Sequence, residues 1–473
     1  MMVRPDGFIG AVMAIEGIAD AQVLLHGPDG CRKNLTVLSK HCFPRGRRTG
    51  AGEQFFKGLS RIPCTDVVSS DYIFGSYGKV VKALDSLKSC GAGLIAVIPT
   101  PGAALIGDDC YRAIRESGTE DLAFVLDASP KGGPLSHGFD RAICEAVRRT
   151  AAPKGDRRKD AVVLLGVSIL MKDWTAVVDE FSELLSLMGL EVVCVPGAGS
   201  SSEEIANSVD AEYGIVLCPE YAVLTSELYE SGYGVRIVSL GYSPIGFDAT
   251  LAWINKVAEC TGKDPSAALE KIHRSMIRAF RCMEAASPRI AGVEFSVDAE
   301  ASIAYPMVRW LMESFSMMPS GITMPPGGST ESMEALSAYL ESKGIGHVIG
   351  KEDGSPSDVV LRDGNTARLM QSSGRCLKGI DISFPSITNV DFTPSPIFGA
   401  SGALYLLDRL MNPMRSRSPH AEADKKRRRI GMRIRTPILK KFTDSLSPCR
   451  RSRRTHGRRP CIPPHRDRGR TYR

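Results

Sequence analysis

The stretch Gln22-Val23-Leu24-Leu25-His26-Gly27-Pro28-Asp29-Gly30-Cys31 opens on an apolar run and breaks on two glycines and a proline. A short strand, a tight turn and then a helix-length amphipathic stretch make one βα unit. The same alternation runs outward through the chain. In the first third the apolar runs also include Asp66 to Val68, Leu94 to Ile98 and Leu122 to Leu126. In the second third they are Ala161 to Val167, Glu191 to Val195, Gly214 to Cys218 and Val235 to Leu240. In the last they are Ile290 to Phe295, Asp358 to Leu361 and Gly379 to Ser383. Strands alternating with helices predict an α/β fold with parallel sheets covered on both faces. The clearest helix follows Asp173, where Trp174, Val177, Val178, Phe181, Leu184, Leu185 and Met188 recur at helical spacing. Asp173 is expected to be its N-cap and Gly189 its stop.

Two breaks divide the pattern into three Rossmann-like units. Residues 151–160 read AAPKGDRRKD, a polar linker, and Ser287-Pro288 closes a long helix. The expected domains are therefore 1–152, 158–286 and 289–412, followed by a basic tail at 413–473. Charge separates the tail from the rest. It carries 21 Lys and Arg against 4 Asp and Glu, or +17, whereas residues 1–412 carry 39 against 49, or −10. The tail lacks apolar periodicity, cannot offset its ordering entropy, and is expected to be disordered. It reads either as a basic arm for nucleic acid or an acidic partner, or as an unrelated extension. The acidic body gives no reason to expect nucleic acid there.

Other classes are excluded by composition. No apolar run reaches the roughly 18–20 residues of a membrane span. Pro5-Asp6-Gly7 interrupts the first apolar stretch and no small-residue cleavage site follows, which points to a cytoplasmic chain. Thirteen cysteines in a reducing compartment are not read as disulfides, and none forms CxxC. Most are expected to behave as small buried hydrophobes.

In open parallel sheets, ligands collect where strands end at their carboxyl edges. That rule selects few residues. The turn His26 to Gly30 presents Cys31, whose thiolate would be a soft ligand for iron or an iron–sulfur cluster, or else an incidental cysteine on a structural turn. Ile98-Pro99-Thr100-Pro101-Gly102 leaves another strand, and Asp108-Asp109 beyond it reads as helix capping rather than acid–base chemistry. Cys218-Pro219-Glu220 ends a strand of the second unit. Gly197-Ala198-Gly199-Ser200 lacks the full phosphate-binding glycine pattern.

HGPDGC at 26–31, Ser70-Asp71-Tyr72-Ile73-Phe74-Gly75 and LIGDD at 105–109, in this order, resemble the first domain of nitrogenase component 1 proteins, with their cofactor-scaffold and tetrapyrrole-reductase relatives. Lys172-Asp173-Trp174, Met188-Gly189-Leu190, Ser243-Pro244-Ile245-Gly246-Phe247-Asp248 and Phe384-Pro385 with Phe398-Gly399-Ala400 resemble the second and third domains, so the resemblance covers about residues 5 to 412. It implies three Rossmann-like domains around a central cleft, and multi-electron reduction driven by an ATP-dependent iron-protein partner. It also implies a second component 1-like subunit, identical or different, and an iron–sulfur or related metal cofactor shared with it. Cys31 matches one cluster-ligand motif, with Gly30, Thr100 and Pro101 as further cofactor contacts. Where the family carries two other cysteines, this chain has Asp6-Gly7 and Thr100-Pro101. Cys218 resembles the cysteine that holds the active-site metal cofactor, while Phe398 stands where a histidine would be its partner. The incomplete set leaves an active oxidoreductase subunit and a non-catalytic scaffold or carrier for an iron–sulfur or tetrapyrrole-type cofactor as the two readings. A metal-chelate-binding or GT-B-like protein sharing only Rossmann units is a third.

Overall fold

A computed structural model of the chain describes residues 5–42, 62–127, 133–286, 290–351, 357–386 and 391–415, all within one compact unit spanning Met1–Ala421. It contains three separate sheets, each wholly parallel. The first orders its strands β1 (Ala21–His26), β2 (Leu94–Pro99), β3 (Ala123–Val125). The second runs β5 (Glu191–Cys194), β4 (Arg158–Leu165), β6 (Ala211–Val216), β7 (Arg236–Val238). The third runs β11 (Lys378–Ser383), β10 (Val359–Asp363), β8 (Glu294–Asp298), β9 (Met318–Thr323). The central strands are apolar where both faces are covered, as in β2, where Leu94 to Ile98 are all buried, and carry charged residues only toward their ends, as Glu294 and Asp298 in β8. Among the described residues no helix is long and apolar enough to cross a membrane.

At strand level two expectations fail and one strand is unforeseen, each for a local reason. Asp66 to Val68 is no strand. Residues 63–67 do run beside β1, with Leu25 N–H donating to Pro63 at 3.0 Å and Thr65 N–H to Leu25 at 3.0 Å. Asp66 at φ 52° then turns the chain out of line, a conformation that aspartate tolerates better than most residues. Ile290 to Phe295 begins its strand only at Glu294, because Gly292 at φ 72° forms a turn first. The strand β9, absent from the sequence reading, hides behind Pro319 and Gly321. A proline fits there because β9 is an edge strand and need not donate outward.

The helix Trp174–Ser186 forms as expected, but Asp173 does not cap it through its side chain. Its carboxylate accepts instead from the Ser395 N–H at 2.6 Å, tying the last segment to the second sheet. Lys172 acts in the same sense, its ammonium lying buried 3.2 Å from Asp381 and 2.5 Å from Asp391. The final helix Gly399–Arg415 runs past 412 and packs on the helices Gly246–Thr261 and Ser266–Ala286 of the second unit. The buried carboxylate of Glu180 accepts from the Ala400 N–H at 2.8 Å and the Ser401 N–H at 3.2 Å, satisfying the free amides at that helix's start. The expected disordered tail lies, from residue 416 onward, outside the described residues.

Candidate cofactor-contact sites

Around Cys31, the loops that follow β1 and β2 and the segment 64–77 converge at one sheet edge. His26 ends β1 fully buried, its Nδ1 3.0 Å from the Thr65 hydroxyl, which also accepts from the Gly27 N–H at 3.0 Å. The other ring nitrogen stands 3.2 Å from Asp108 Oδ2. Burial holds the imidazole below its ordinary pKa, against the opposing pull of Asp108 and Asp71. A neutral ring accepts the Thr65 hydroxyl hydrogen at Nδ1, while Nε2 faces Asp108 without the alignment of a hydrogen bond.

The aspartate pair divides its work. Asp109 caps the helix Cys110–Glu116 by accepting from the Arg112 N–H at 2.9 Å, as expected. Asp108 does not cap that helix. It accepts from the Ser76 hydroxyl at 2.6 Å and the Ser76 N–H at 3.0 Å, and so locks the segment 70–77 against His26. The sequence signal was present in the order of HGPDGC, SDYIFG and LIGDD, but only the fold shows that they share one network.

Thr100 is buried, and its N–H donates to His26 O at 2.8 Å. A side chain at position 27 would meet Thr100 Cγ2 at 2.4 Å, so glycine is required there by close approach. Gly30 and Pro101 are exposed on the same edge. Cys31 lies in the first turn of the helix Asp29–Cys42, half-buried, with its N–H 3.2 Å from Pro28 O. Burial pushes its thiol pKa up, so this site by itself does not generate a thiolate. The segments that meet at this sheet edge carry exposed apolar side chains: Ile73 is 77% exposed, Phe74 84% and Leu105 87%. At the third ligand motif, Asp6 caps the helix Gly7–Glu16 by accepting from the Ile9 N–H at 3.1 Å.

Cys218 lies elsewhere, at the carboxyl end of β6, and is completely buried. Its Sγ is 3.6 Å from Glu220 Oε2 and 3.5 Å from the Ser302 hydroxyl. Glu220, also buried, accepts from the Ser302 N–H at 2.7 Å and from the Ser302 hydroxyl, joining the second sheet to the helix Ala301–Phe315. Pro306 inside that helix has no N–H for the carbonyl four residues earlier. That carbonyl, Ser302 O, takes the Ser243 N–H at 3.0 Å instead. Gly166 at φ 74° closes the other side, where any Cβ would strike Cys218 O at 2.3 Å. Burial first, and the Glu220 charge second, push the Cys218 thiol far above its ordinary range. Glu220 and Ser243 belong to the Cys218-Pro219-Glu220 and Ser243-to-Asp248 stretches, but Ser302, 84 positions from Cys218, carries no motif that brings it to this seam. Phe398 is fully buried at the start of the last helix.

The two cysteines thus occupy different environments. Among the described residues no three His, Cys, Asp or Glu side chains converge to hold a metal ion. A cubane iron–sulfur cluster takes about four protein ligands, so the described residues of this chain alone do not fit one.

Comparison with known proteins gives a consistent picture. The family model described as nitrogenase component 1 type oxidoreductase matches residues 7–415. The nitrogenase molybdenum-iron protein beta chain of Methanococcus maripaludis is 22% identical over 451 residues, covering 85% of this chain and 92% of that protein. The nitrogenase iron-molybdenum cofactor biosynthesis protein NifE of Clostridium pasteurianum is 25% identical over 262 residues, and the match spans only about half of either chain, 54% of each. A light-independent protochlorophyllide reductase chain of Halorhodospira halophila is 27% identical over 183 residues, covering 35% of this chain and 34% of that one. Among solved structures, "Nitrogenase Cp1 at pH 6.5" superimposes with a TM-score of 0.71 over 92% of this chain and 97% of that one, at 17% identity, which shows a shared fold. Family model, relatives and fold agree with the parallel three-sheet architecture, and the chain belongs to the nitrogenase component 1 type oxidoreductase family.

Proposed function

We propose that this chain is one subunit of a two-subunit component 1-like assembly, with Cys31 as its contribution to an iron–sulfur or related cofactor held at the subunit interface. The observation that carries the reading is the pairing of a single half-buried thiol with an uncovered apolar rim, Ile73, Phe74 and Leu105, at the same sheet edge. A surface of that kind is what an obligate partner covers, and the partner would bring the ligands that this chain lacks. Gly30, Thr100 and Pro101 shape the edge beside the thiol. The family relation supports ATP-driven reduction with an iron-protein partner, or maturation of a metal cofactor, as the activity of such an assembly. The three βα units are taken as domains 1–152, 158–286 and 289–412, and the cytoplasm as the compartment. Anaerobic purification of the assembly, with iron, labile sulfide and electron paramagnetic resonance measured on wild type and Cys31→Ala, tests this. Iron lost in the variant supports the role of Cys31. A wild-type assembly without iron or tetrapyrrole sinks the reading.

A second reading is a non-catalytic scaffold or carrier. It is favoured by the sealed state of Cys218, which in this conformation is packed as part of a hydrogen-bonded core rather than offered to a ligand. Metal contact by Cys218 then requires separation of Ser302 and Glu220 from the thiol. Reductant-dependent turnover with an iron-protein partner separates the readings, since only the first expects it.

A further inference from the structure

A cleft of about 550 Å³ lies along the open edge of the third sheet, away from both cysteines. Its wall is made by β11, the helix Gly364–Ser372 and the last helix Gly399–Arg415. Gln371 reaches over the edge and accepts the Gly379 N–H at 3.0 Å. At one end the acidic groups already have a cation: Lys172 sits between Asp381 and Asp391, with its ammonium 5.3 Å from the centre of the Tyr405 ring. Toward the other end the balance reverses. Lys378 and Arg409 both line the cleft, and among the described residues neither forms an ion pair with a carboxylate. The Arg409 guanidinium lies 5.3 Å from the centre of the same Tyr405 ring. Burial and the Arg409 charge together push the Lys378 ammonium below its ordinary pKa, an effect that Asp408 only partly offsets. Half-buried Lys378 and the more exposed Arg409 repel across the cleft, and an anion between them relieves both.

The volume is in the range of small-molecule pockets, roughly 300–1,000 Å³, and exceeds what one inorganic ion fills. The geometry points to a binding site for a small polyanion, its phosphate or carboxylate groups bridging Lys378 and Arg409 and its polar body lying on Gln371 and Arg368. The fork of an arginine suits either kind of anionic group, while the lysine supplies a point charge. The site is independent of any cofactor at Cys31.

Isothermal titration of the full chain with inorganic pyrophosphate and, separately, with propane-1,2,3-tricarboxylate tests the site and distinguishes the two sources of charge. One of the probes is expected to bind saturably, about tenfold more weakly in Lys378→Ala and in Arg409→Ala, with Lys82→Ala on the first unit unchanged. Where either alanine variant fails to fold, judged by thermal unfolding, Lys378→Gln and Arg409→Gln keep the side-chain stems and carry the same expectation. The basic stretch 413–473 attracts anions as well, but equally in every variant. Binding that is the same in all variants, or no saturable binding of either probe to the wild type, overturns the proposal.

Discussion

Cys31 and Cys218 both follow a strand at its carboxyl edge, yet their surroundings are opposite. Cys31 is half-buried at a sheet edge whose neighbouring segment exposes Ile73 and Phe74. Cys218 sits in a sealed seam between two sheets, where Glu220 and Ser302 find their partners inside the chain. Strand-end position alone therefore does not define a site. What separates the two is whether another part of the same chain covers the cysteine. The helix Ala301–Phe315 covers β6 at Cys218, while at β1 the segments around Thr65 and Thr100 bury His26, and the described residues leave Cys31, in the next helix, half-buried.

The largest expected contrast is kinetic. In native conditions alkylation of Cys31 by iodoacetamide, followed residue by residue in the mass spectrometer, should exceed that of Cys218 by about 10³-fold or more, because Cys218 reacts only on opening of the seam. Comparable rates would show that the seam opens readily. Next is Glu220→Ala, which strips the acceptor from buried Ser302 and is expected to lower stability by about 3 kcal/mol in chemical denaturation. A loss below about 1 kcal/mol would mean that water replaces the carboxylate. Beneath the Cys31 edge, Gly27→Ala pushes a Cβ into buried Thr100 and should lose about 1–2 kcal/mol. Gly27→Ala combined with Thr100→Gly should recover part of that loss, and strict additivity in the double-mutant cycle would break the assigned contact.

The smallest effect is on pH. The folded His26 has a lowered pKa, so between that value and the unfolded one near 6.5 the unfolded chain binds more protons. The stability due to a neutral His26 is full above about 6.5, falls as the pH drops through this window, and levels off below the folded pKa. His26→Gln should flatten that part of the stability profile, while a profile unchanged by the substitution would place the acid sensitivity elsewhere.

The alternation of apolar runs and amphipathic stretches made the parallel sheets legible, since strands buried on both faces must be apolar throughout. Edge elements were less legible. Strand β9 carries Pro319 and Gly321, and its presence depends on pairing with β8 rather than on its own composition. Asp66 to Val68 looked like a strand and is not, because one left-handed residue outweighs two valines. At the site, the HGPDGC turn located Cys31, and adjacent aspartates at 108–109 suggested capping. Only one of them caps. Asp108 turns to His26 and Ser76, residues 82 and 32 positions away, a separation that no local pattern encodes.

The sequence by itself determined the local periodicity, the turns that end β1 and β6, and the shortage of ligand cysteines, because these depend on neighbouring residues or on residue identity. The tertiary structure alone decided that Cys218 is sealed, that Lys172 serves Asp381 and Asp391, and that Lys378 and Arg409 face one cleft. Each of those outcomes depends on which distant surface arrives to cover, pair with or leave open a given group, and burial and charge act through space rather than along the chain.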